Sequence, residues 1–113
     1  MLDSEWSGQI PDDDDYGRLD YNYRAACLEN GGGRLYNETV EILWSWTDGQ
    51  DEPHYSWLVK FKDGRFALVE GWHDYTGWDC QSGVEVCHVG ESEAECAGYL
   101  TDDPRRAYAE RNN

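Results

Sequence analysis

Basic residues are scarce in this chain: nine Lys and Arg stand against 24 Asp and Glu, a formal net charge of −15 at pH 7. Such a chain repels phosphate, and attraction to phosphate supplies most of the binding to nucleic acid or to an anionic membrane, so neither is expected as a direct partner. Long apolar runs are missing as well. None approaches the ~18 residues of a membrane helix, and the opening MLDSEWSGQI has neither the basic start nor the apolar stretch of an export signal. The expectation is a cytoplasmic protein in which Cys27, Cys80, Cys87 and Cys96 stay reduced, most of them buried as small apolar residues. Internal repeats and an interdomain linker are also lacking, so the 113 residues read as one domain with a modest core and one site at most.

Aromatic residues are plentiful. Six Trp and eight Tyr supply enough apolar area to fold the chain despite a mean hydropathy of −0.88. The charge is uneven: residues 54–72 hold three bases and two acids, whereas 73–103 hold eight acids and no base. Those acids should repel one another in the compact state, so modest salt or a lowered pH is expected to favour folding.

The firmest local signal is Asp63-Gly64 between two apolar-rich runs, 55–62 and 65–72. A two-residue type I′ hairpin loop there would place Phe61 opposite Phe66, Val59 opposite Leu68, Trp57 opposite Glu70 and Tyr55 opposite Trp72. Upstream, Tyr36, Val40, Ile42, Trp44 and Trp46 alternate with Thr39, Glu41, Leu43 and Ser45, the period of a half-buried strand, and Val84, Val86 and Val89 suggest a fourth. Helices are predicted over 16–28, over 92–100 behind a Ser92/Glu95 capping box, and for a turn or two after Asp103-Pro104. Residues 1–15 read as an irregular acidic arm that Trp6 and Ile10 are able to pin, and Gly31-Gly32-Gly33 as a flexible connector. The fold expected is α+β: an antiparallel meander of three to four strands with two or three helices packed on one face, burying Trp44, Trp57, Phe61, Phe66, Leu68 and Trp72.

Candidate chemistry is sparse. His73, Cys80, Cys87, His88 and Cys96 share one segment, but their spacings are longer than those of zinc knuckles, and neither a metal nor a cofactor is expected. The glycine triplet lacks the strand, helix and Lys-Ser/Thr pair of a phosphate loop. Glu70, placed beside tryptophans by the type I′ register, is the one acid–base candidate, with His73 or Asp74 as helper, in a small hydrolase or lyase. The loop from His73 to Gln81 is dense in aromatic and hydrogen-bonding groups and suits either recognition or the plugging of the core's end.

The stretch DYTGWDCQ, residues 74–81, following the KDGRF hairpin, resembles one that recurs in small acidic proteins encoded by phages, particularly those of actinobacteria. The resemblance covers about a third of the chain and implies provenance, with no activity or catalytic residue to carry over. Charge and provenance together lead to a non-enzymatic protein that engages a basic, nucleic-acid-binding site of a host protein, in the host cytoplasm, as a nucleic-acid mimic or inhibitor. The residues expected to meet that partner are Asp12, Asp13, Asp14, Asp15, Asp74, Tyr75, Trp78, Asp79, Glu91 and Glu93. The bland alternative is an acidic surface that serves only solubility.

Overall fold

Asp63-Gly64 does turn the chain, but through a loop of three residues. In the computed structural model, which describes residues 4–9, 19–49, 53–74 and 81–111, the Gly64 N–H donates to Phe61 O at 3.0 Å and the Phe61 N–H to Arg65 O at 2.9 Å. Gly64 takes the left-handed conformation at φ 90° that this loop requires. The Asp63 carboxylate accepts both the backbone N–H and the Nε of Arg65, which ties the loop on itself. As a result β2 (His54–Phe61) and β3 (Phe66–Asp74) pair with Leu58 opposite Leu68, Trp57 opposite Val69 and Ser56 opposite Glu70. The register differs by one residue from the two-residue expectation, and in a strand that exchanges the faces.

Two outer strands, β1 (Thr39–Thr47) and β4 (Gln81–Gly90), complete a four-stranded antiparallel meander in the order β1-β2-β3-β4, giving the expected α+β class. β1 holds two extra residues, Val40 and Leu43, and β4 one, Cys87. The second bulge in β1 sends Ile42 to the face of Val59 and Trp44 to the face of Leu58, so the single stripe read from the sequence is split between two faces. Tyr36 lies before the strand, in α2 (Gly33–Glu38).

The helices likewise do not share one face. β2 buries Trp57, Leu58 and Val59 in succession and β3 buries Ala67, Leu68 and Val69, so both sides of the sheet are apolar and both must be covered. On the first face α1 (Tyr21–Glu29), α2 and the N-terminal arm enclose Trp57, Val59, Phe61 and Val69 with Tyr23, Cys27 and Leu35. On the second, Cys96 of α3 (Glu93–Ala97) and Leu100 pack on Leu58 and Leu68, and α4 (Asp102–Glu110) adds Tyr108. Trp57, Phe61 and Leu68 are buried as expected, Trp44 and Phe66 only half-buried, and Trp72 is 37% exposed because the slipped register carries it off the first core. None of the described helices is long and apolar enough to cross a membrane.

Local chemistry sets the helix ends. α1 starts at Tyr21 because Asp20 caps it: one carboxylate oxygen accepts the Asn22 N–H and the other the Trp57 indole N–H, both at 3.3 Å. Thr39 donates to Leu35 O at 2.7 Å, which leaves the buried Tyr23 hydroxyl to donate to Thr39 Oγ1 at 2.8 Å. The glycine triplet is a docking seat for the arm rather than a connector. A 3-10 turn, Ser4–Trp6, stacks Trp6 on Phe61, and Gly8 exchanges hydrogen bonds with Gly31 and Gly33 at 2.8 Å each. A Cβ at Gly33 would run into the backbone of Gln9. Ser92 caps α3 by accepting the Glu95 N–H, while the Glu95 carboxylate accepts from the Glu91 N–H and meets His88 Nε2 at 2.6 Å.

Substituting Gly33→Ala should expel the arm and uncover Trp6 and Phe61, at a cost of about 2 kcal/mol, read as a lower melting temperature and a red-shifted tryptophan emission. The Glu95 carboxyl is held below its ordinary value of 4.5, first by the His88 hydrogen bond and then by the Glu91 N–H. A group lowered in this way stabilises the fold above its ordinary value, and the contribution disappears as pH falls through the lowered one. It therefore opposes, on the acid side, the gain expected from relieving repulsion. Acid melts of Glu95→Gln should show a shallower loss of stability below pH 4.5 than those of the parent.

Candidate functional site

With the register set, the second face of the sheet carries three cross-strand rows. Trp44, Leu58, Leu68 and His88 form the first; Trp46, Ser56, Glu70 and Glu85 the second; His54, Trp72 and Gly83 the third. α3 and α4 roof the first row. The other two floor a cleft of about 390 Å³, walled by Thr101, Asp102, Asp103 and Pro104 at the start of α4, with Asp48 at its rim.

Five carboxylates line this cleft (Asp48, Glu70, Glu85, Asp102 and Asp103), and among the described residues no Lys or Arg does. Glu70 stands directly across from Glu85, a like-charge pair that weakens a sheet unless something lies between. The N-terminus of a helix ordinarily favours anions, but Asp102 and Asp103 in the first turn of α4 answer that partial charge. Trp46 and Trp72 add aromatic surface, and Trp72 lies across Gly83, where the missing side chain makes room for the indole. Carboxylates beside indole faces hold a cation by two attractions at once, charge pairing and the ring quadrupole, the latter worth about 0.5–2 kcal/mol.

Glu70 is oriented from behind. The Ser56 hydroxyl, 1% exposed, donates to one of its oxygens at 2.9 Å, and the Cys87 thiol donates to the other at 3.2 Å. Cys87 reaches Glu70 because it is the extra residue of the β4 bulge, a device that re-aims a side chain. Although the residue is exposed, its sulfur lies against the sheet, and desolvation, then repulsion by Glu70, push the thiol well above its ordinary value. Burial pushes the Cys27 thiol up to about 12. Cys27, Cys87 and Cys96 are free thiols, Cys27 and Cys96 buried and Cys87 exposed.

The pairing of Glu70 with His73 does not form. Alternation along β3 puts His73 on the opposite face, with Nε2 3.5 Å from a carboxylate oxygen of Glu29 in α1. Asp74 ends β3, opposite Gln81. No group of three or more His, Cys, Asp or Glu among the described residues could hold a metal ion.

Of the residues expected to meet a partner, Asp12, Asp13, Asp14, Asp15, Tyr75, Trp78 and Asp79 lie outside the described residues, as does Cys80. Glu91 is exposed just after β4. Glu93 is committed inside the protein: it accepts from the Tyr108 hydroxyl at 2.5 Å and from Arg111 at 2.8 Å, clasping α4 to α3. Glu70 was singled out from the sequence, but its surroundings were not. Trp46, Ser56, Glu85, Asp102 and Asp103 join it only through the registers and the fold-back of α4, for which no local motif exists.

Removing the Glu70 charge should lower the Cys87 thiol toward its ordinary value. Glu70→Gln is expected to speed alkylation of Cys87 by iodoacetamide at pH 8.5 by about tenfold, with Cys27 unchanged as an internal control, read by peptide mass spectrometry. No protein-family model matches the chain, and no curated protein or solved structure matches it.

Proposed function

We propose that this chain is a small acidic, non-enzymatic binding protein, of phage origin, that occupies the basic nucleic-acid-binding site of a host protein, and that its cleft takes one cationic side chain of that partner. The observation that carries the reading is the cleft's lining: five carboxylates and two tryptophans beside His54, and among the described residues no Lys or Arg. A guanidinium or ammonium group is the chemistry that satisfies all of these together, and arginine suits it best because its planar head pairs with a carboxylate and stacks on indole simultaneously. The net charge of −15 then supplies steering and orientation toward a basic surface. Of the competing small-enzyme reading, the form that joins Glu70 to His73 loses support, since the two stand on opposite faces of β3.

Agmatine, a free guanidinium, tests the cleft by NMR titration. The indole N–H signals of Trp46 and Trp72 should move with millimolar affinity at low salt, and Trp72→Ala should weaken binding by about 1 kcal/mol, roughly fivefold. Shifts scattered over the acidic surface that spare both indoles would sink the reading and leave the acids a solubility role. Basic proteins captured from host lysate should leave the immobilised chain as salt rises, and salt-insensitive or neutral partners count against the proposal.

A further inference from the structure

The chain has three histidines, and two of them meet a carboxylate away from the cleft: His73 at Glu29 on the first face, and His88 at Glu95 of α3. The third, His54, opens β2 and lines the cleft. Asp48 fastens its backbone, Oδ1 accepting the His54 N–H at 3.2 Å while the Asp48 N–H donates to His54 O at 3.3 Å. Its ring is exposed and forms no hydrogen bond or ion pair among the described residues.

Cross-strand pairing decides what that ring can do. His54 stands directly opposite Trp72 in the antiparallel ladder of β2 and β3, where paired side chains of one face lie within reach of each other. Trp72 is one of the two indoles of the cleft, and a cation that binds there needs its ring face. An imidazole changes charge between pH 5 and 8. The described charged groups that face it are Asp48 just after β1, Glu70 on β3, Glu85 on β4, and Asp102 and Asp103 at the start of α4, the last also reaching Arg106 at 3.7 Å. All five are acids. A charged His54 ring therefore finds in place the same two attractions that the cleft offers to an incoming cation, carboxylate and indole, and it meets them without the loss of freedom that a separate molecule suffers. A neutral ring leaves both open.

We infer that His54 is a tethered competitor of the cleft's cationic guest: neutral, it leaves Trp72 and the carboxylates to the guest, and protonated, it takes them itself and releases the guest. The inference rests on the cation reading of the cleft given above and adds to it the regulation of that site by pH.

Agmatine titrations of the full chain at pH 7.5 and pH 5.5, at one ionic strength and followed at the Trp46 and Trp72 indoles, test the competitor, since agmatine keeps its charges over this range. Affinity in the parent should fall by about fivefold at the lower pH. By reciprocity, agmatine added at pH 6 should move the His54 ring signals toward those of the neutral form. His54→Gln should flatten the ratio of the two affinities to less than about twofold, whatever its absolute affinity, because its amide carries no charge at either pH. His73→Gln, altered on the other face, should keep the parent's drop. A drop that persists in His54→Gln assigns the response to the carboxylates and overturns the competitor while the cleft reading stands. Equal affinities at both pH values in the parent, or His54 ring signals that agmatine leaves in place, overturn it in the same way. Silence of both indoles at pH 7.5 refutes the cleft reading itself, and the competitor with it.

Discussion

The structure depends on where one hairpin closes. Phe61 pairs with Arg65 across a three-residue loop, and every lateral contact of β2 with β3 follows from that pairing. Side chains in a strand have a period of two, so closing one residue earlier or later would exchange the faces of one strand relative to the other. As closed, Trp57 meets α1 through Asp20 and Tyr23, Leu58 meets α3, and Glu70 falls beside Ser56 on the face that the N-terminal helices do not cover.

A consequence is a sheet buried on both sides, less usual for an antiparallel meander than for a parallel sheet. Among the described residues the first core is broad, running from Trp6 to Val84, whereas the second holds four buried residues. That inequality makes room for a site. α3 and α4 cover only the first row, and beyond Leu58 and Leu68 the floor continues as Ser56, Glu70, Trp46 and Trp72 without a roof. Ser56 is buried there with its hydroxyl satisfied by Glu70, while Glu70 and Glu85 keep access to water, so no heavy desolvation cost opposes the charges.

Much of the fold was legible because it is written locally. The Asp-Gly turn, the four strands, the Ser92 cap and the anchoring Trp6 follow from turn chemistry, alternation and capping, all of which operate over a few residues. What was not legible depends on counting across space. Asp63-Gly64 is compatible with loops of two or three residues, and the preference for three is expressed in the Asp63 contacts to Arg65, which appear only once the loop exists. The bulges at Val40 and Leu43 break an alternation that looked unbroken in the sequence, and a glycine triplet that reads as slack is the closest backbone crossing of the arm. The cleft was illegible for the same reason. Glu85 and Asp102 are ordinary surface acids in sequence, and it takes the β3–β4 register and the return of α4 to make them neighbours of Glu70.

The irregularities of the sheet are all on its margins. β2 and β3 pair without interruption, while each extra residue belongs to an outer strand: Val40 and Leu43 to β1, Cys87 to β4. An outer strand offers a row of unsatisfied backbone donors and acceptors, which is the template on which one copy of a β protein recruits the next and from which fibrils grow. A bulge breaks that row into pieces too short to template an added strand, and it does so by geometry, which salt does not screen. When counterions mute the mutual repulsion of so acidic a chain, the kinked margins still oppose the zipping of one copy onto another.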